Sequence, residues 1–102
     1  MKLLGVLIAA AALAACTTVQ SGELRASNGR DAVWITDKPC TSAAVLARVA
    51  PQWRERLREA RARWNGDEYR ACWIVNGSDA HLLYEDGDQG IVPLADFKQD
   101  GA

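Results

Sequence analysis

Three cysteines, one histidine and two clusters of charge are the residues in this 102-residue chain whose types suit chemistry. Glu85, Asp86 and Asp88, interleaved with Gly87 and followed by Gly90, place carboxylate oxygens on a tight wrap of the kind that attracts calcium. Calcium, however, takes roughly six to eight oxygens, and the familiar twelve-residue calcium loop ends on a glutamate. Counted from Asp86, that last position is Phe97. A solubilising hairpin turn accounts for the same residues, so no metal is expected there. The sole histidine, His81, falls in a stretch that reads as a strand, with no Gly-x-Ser-x-Gly nucleophile motif beside it. Carboxylates confined to a solvated turn keep ordinary acidities and supply no matched acid and base. The chain therefore reads as a non-enzyme without a cofactor.

The second cluster is basic. Residues 41–66 hold six arginines against Glu55 and Glu59, a sum of +4. Residues 67–102 hold eight acids against Arg70 and Lys98, a sum of −6. The net charge is −1, which argues against a nucleic-acid partner. Arg54, Arg56, Arg58, Arg61 and Arg63 could meet lipid headgroups or another anionic surface polymer, or simply form a solvated face. Four tryptophans, Trp34, Trp53, Trp64 and Trp73, are many for a small domain. Most are expected in the core, and one left exposed beside arginines would mark an interface. Arg54, Arg58, Arg61 and Trp64 are the residues expected to form such a surface, with an envelope protein or anionic polymer as partner.

The cysteines divide into one and two. Met1-Lys2 precedes an apolar run to Ala15, the layout of an export signal. A spanning helix needs about 20 apolar residues, more than this run offers. Leu13-Ala14-Ala15-Cys16 at its end resembles the lipobox of bacterial lipoproteins. That resemblance implies cleavage before Cys16 and lipid on its thiol. Ala12-Leu13-Ala14 also fits ordinary signal cleavage. Thr17 in place of an aspartate points to the periplasmic face of the outer membrane rather than inner-membrane retention. With Cys16 lipidated, Cys40 and Cys72 remain as an even pair, most simply a disulfide in an oxidising compartment. It would close a loop of about 30 residues and contribute about 3 to 4 kcal/mol. A metal site would need more ligands than His81, and a redox pair is normally a close Cys-x-x-Cys.

The elements that must position these residues follow from periodicity. Residues 1–15 read as the signal, 16–30 as a lipidated N-terminus and flexible tether, 31–98 as one globular domain and 99–102 as a tail. Ala32–Thr36 is β-rich, and Thr41 or Ser42 can cap a helix over 43–48. Pro51 can start a second helix, in which Trp53, Leu57, Ala60 and Trp64 form one apolar stripe and Asn65-Gly66 the stop. Tyr69–Val75 and His81–Tyr84 flank Asn76-Gly77, a hairpin signal, and Ile91-Val92 supplies a third strand. Leu94 and Phe97 then fall onto the core from a last helical turn. The expected fold is α+β: a small antiparallel β-α-β-β-β sheet with one amphipathic helix on a face and one disulfide. The molecule is expected to be a monomer.

Lys38-Pro39-Cys40, the YRACWIVN segment ending at Asn76 and the Asp86-Gly87-Asp88 turn resemble a group of small exported proteins of proteobacteria and their phages. The likeness covers Asp31 to Lys98 and implies the same fold boundaries and disulfide, but no activity. Two functions are compatible with it. One is a lipid-anchored envelope module that binds a protein or surface polymer. The other is a phage-derived envelope protein acting in superinfection exclusion or in inhibition of a wall hydrolase.

Overall fold

The computed structural model describes residues 23–99. Seven strands run through them: β1 (Leu24–Ser27), β2 (Ala32–Pro39), β3 (Arg58–Trp64), β4 (Asp67–Asn76), β5 (Asp79–Tyr84), β6 (Gln89–Pro93) and β7 (Lys98–Gln99). Two single-turn helices, α1 (Ala43–Leu46) and α2 (Pro51–Arg54), lie between β2 and β3, and a 3-10 turn spans Leu94–Asp96. All strands pair antiparallel in the order β6-β5-β4-β3-β2-β1-β7. This mostly-β architecture corrects the α+β expectation, because the long helix of the second segment does not form.

The reason lies at the end of that segment. Asn65 and Gly66 both take positive φ, 52° and 86°, the requirement of a type I′ hairpin turn. They reverse the chain so that Trp64 faces Asp67, and β3 pairs with β4 from Arg58 to Trp64. β2 pairs along its other side. Arg-Glu-Ala-Arg-Ala-Arg-Trp then alternates with the period of a strand, Ala60 and Ala62 being buried between more exposed arginines. Arginine and alanine are good helix formers, but pairing on both sides outweighs a preference of tenths of a kcal/mol per residue.

Chain length forces the sheet to curl. Six interstrand spacings would put β6 and β7 about 29 Å apart in a flat sheet. The link from Pro93 to Lys98 reaches at most about 18 Å. The edges therefore approach each other and the sheet becomes a half-barrel. Small residues line its concave side: Ala26, Ala60, Ala71 and Ala80 are buried with Ile35, Leu82 and Phe97. Leu94 and Phe97 come from the 3-10 turn that makes the link, with Leu94 packed against this core.

A second, smaller core lies on the convex side. Cys40, Val45, Leu57 and Cys72 are buried there, with Leu46, Val49, Ile74 and Leu83 packed around them. The Cys40–Cys72 disulfide joins the end of β2 to β4, with Cα atoms 5.6 Å apart. Ser42 caps α1, its Oγ accepting the Val45 N–H at 3.3 Å, and donates to Glu85 at 2.7 Å.

β1 falls within the stretch expected to be a tether. Leu24–Ser27 pair with Ala32–Ile35 and Ala26 is buried, so the folded unit reaches back past Asp31. The predicted signal sequence, the lipobox and Cys16 lie outside the described residues, as does the end of the tail. Among the described residues no helix is long and apolar enough to cross a membrane.

Candidate binding site at the mouth of the half-barrel

The half-barrel is open at the end where the β1–β2 loop, the β3–β4 hairpin and the 3-10 turn converge. A cavity of about 580 Å³ sits there, within the usual range of small-ligand sites. Its floor is small and apolar: Ala26, Ala32, Val33, Val92 and Ala95. Its rim is Ser27, Asn28, Asp31, Trp64, Asp96 and Lys98. Trp64 is 56% exposed, because the two-residue Asn65-Gly66 turn carries it beyond the core.

Local hydrogen bonds hold this rim in place. Asn28 Oδ1 accepts the N–H groups of Arg30 (3.1 Å) and Asp31 (2.8 Å). Ser27 Oγ accepts the Gly29 N–H at 3.0 Å and donates to the Asp31 carbonyl at 3.2 Å. Asp31 Oδ1 accepts the Asn65 N–H at 3.1 Å, which ties the β1–β2 loop to the hairpin bearing Trp64. These bonds leave the Asn28 amide N–H groups, Asp31 Oδ2, the Asp96 carboxylate and the Lys98 ammonium without partners among the described residues. The mouth thus combines an aromatic face, a lining of small apolar side chains and both donors and acceptors. Such a set of groups can hold a ligand.

The arginines expected to form one surface are dispersed instead. Arg61 lies over Trp34, 4.0 Å from guanidinium carbon to ring centroid, with Arg63 at 5.4 Å. Arg61 also pairs with Glu23 at 3.3 Å and reaches Glu68 at 3.9 Å. Trp34 is consequently only 5% exposed although it faces outward, opposite in strand alternation to the inward-facing Ile35. Arg54 donates from α2 to the Val49 carbonyl, and Arg58 donates to the carbonyls of Glu55 and Leu57. Arg56 lies over Trp53, 5.3 Å from its centroid. Of the expected set Arg54, Arg58, Arg61 and Trp64, only Trp64 lines the mouth. A separate cleft of about 280 Å³ on the convex side is lined by Arg61 with Thr36, Ser42, Glu59 and Arg70.

The acidic turn serves its own conformation. Asp86 Oδ1 accepts the Asp88 N–H at 2.9 Å, and Arg48 reaches across from the turn after α1 to the Tyr84 and Glu85 carbonyls. Glu85 takes the Ser42 hydroxyl and lies 3.8 Å from Arg70. Among the described residues no group of three His, Cys, Asp or Glu side chains is placed to hold a metal. Burial, then the charges of Asp86 and Asp88, push the Tyr84 phenol above its ordinary value. His81 Nε2 meets Gln89 Oε1 at 2.8 Å across an exposed strand pair.

Comparison with protein families, with curated proteins and with solved structures found no match. Asn28, Asp31, Asp96 and Lys98 were not singled out by the sequence, since Asn28 fell in the presumed tether and Asp96 in a closing turn. The Ser27-Asn28-Gly29 cluster was the available signal, as such residues mark a turn between two paired strands.

Proposed function

We propose that this protein is a non-catalytic binding module of the bacterial envelope, anchored by lipid on Cys16 and taking its ligand at the mouth of the half-barrel. Trp64 carries the reading. A large aromatic side chain held 56% exposed above a cavity gains little for folding and is a typical anchor for a ligand. The anchoring half rests on Leu13-Ala14-Ala15-Cys16 and on the Cys40–Cys72 disulfide, which suits an oxidising compartment. The charge of the mouth refines the partner. Asp31 and Asp96 against Lys98 sum to −1, which does not favour the anionic polymer that the arginine-rich segment suggested.

The anchor is tested by intact mass of the protein extracted from a bacterial envelope with detergent and no reductant. The expected mass is that of residues 16–102 with two or three acyl chains, less two hydrogens. A lipid-free mass cut near Ala15 would leave a periplasmic protein with a spare thiol at Cys16 and would remove the membrane from the reading.

A further inference from the structure

We infer that the mouth takes an uncharged pyranose glycan, one sugar ring lying on Trp64; this deepens the reading above and rests on it. A pyranose presents an apolar C–H face and a rim of hydroxyls, each able to donate and to accept. The mouth offers the complement of both. Trp64 supplies the aromatic face. Asn28 and Lys98 supply donors, and Asp31 Oδ2 and Asp96 supply acceptors, none of them engaged among the described residues by the bonds that fix the rim. The β1–β2 loop is tied to the β3–β4 hairpin by the Asp31–Asn65 bond, and β7, which bears Lys98, pairs with β1, so little ordering is lost when a ring is bound.

A polyanion fits less well, and a peptide is the rival class. A polyanion would meet two carboxylates and one ammonium. A peptide draws its affinity from side chains seated in deep pockets or from an added strand. The apolar lining is made of short alanine and valine side chains, and the β6 and β7 edges border the mouth through Val92 and Lys98, so an added peptide strand is the rival that the peptide arm of the test addresses. One exposed aromatic ring beside hydrogen-bond donors and acceptors suits a ligand with an apolar ring face and a rim of hydroxyls.

The test is calorimetric titration of the detergent-solubilised full chain with chitotetraose and cellotetraose, alongside a proline-rich peptide. At least one glycan should bind. Trp64→Ala should weaken that binding about tenfold, whereas Trp64→Phe, which keeps an aromatic face, should lose about threefold or less. Trp53→Ala, at a comparably exposed tryptophan on α2, should leave it unchanged. Equal thermal midpoints for the three variants would show that the losses do not arise from unfolding. Glycan binding indifferent to Trp64→Ala would overturn the inference. Binding of the peptide alone, lost in Trp64→Ala, would also overturn it while keeping the mouth as the site. Silence towards all three probes would sink both the glycan and the mouth.

Discussion

Trp34 and Trp64 stand on neighbouring strands and meet opposite fates. Trp34, in the middle of β2, points to the convex side and is covered by Arg61 and Arg63 until 5% of it is exposed. Trp64, at the last position of β3, points to the concave side where the barrel has run out of neighbours, and stays 56% exposed. The convex side is also where the disulfide and α1 pack. The two regions therefore differ in cover: the convex side encloses its tryptophan, and the mouth leaves its own available. Side-chain type does not decide which role a tryptophan takes; the cover supplied by other strands does.

The division makes graded predictions. Trp34→Ala should cost about 3 to 5 kcal/mol in a denaturant titration, while Trp64→Ala should cost under about 0.5 kcal/mol. Similar losses for both would erase the contrast. Replacing Cys40 and Cys72 together by serine should cost about 2 to 5 kcal/mol, and any ligand affinity at the mouth should survive where the fold does. Arg61→Ala removes the lid over Trp34 and the Glu23 pair, and should cost about 1 kcal/mol, part of it lost at high salt. A salt-independent effect would mean that packing alone carries it.

The smallest effect concerns pH. The folded state holds the Tyr84 phenol above its ordinary value of 10.0, through burial first and then the Asp86 and Asp88 charges. The unfolded chain gives up that proton earlier. This contribution is thus complete below about pH 10 and is lost as pH rises through the folded-state value. Tyr84→Phe should flatten the fall in stability above about pH 10, measured by denaturant titration across that range. An unchanged slope would assign the alkaline loss to other groups.

The two Asn-Gly pairs of the C-terminal half show what was legible and what was not. Asn76-Gly77 lay between two apolar runs and was read as a hairpin; β4 and β5 pair there through Asn76 and Asp79, with Gly77 at φ 65°. Asn65-Gly66 followed a segment whose apolar residues also fit a helical stripe, and was read as a helix end. The same dipeptide makes a hairpin in both places. Arg-Ala-Arg-Ala satisfies a period of two as well as a helix, so the local pattern did not separate the alternatives.

Several features followed from the sequence alone because each is settled by neighbours along the chain or by a simple count. Among them are the Asn76-Gly77 hairpin, Ser42 as a cap, Leu94 and Phe97 dropping onto the core, and the pairing of Cys40 with Cys72. The tertiary structure alone decided that residues 58–64 extend, that Leu24–Ser27 join the sheet, and that Trp34 is covered while Trp64 is not. Those outcomes depend on strands from distant parts of the chain lying side by side. A strand's hydrogen bonds, unlike a helix's, are made to residues far away in sequence.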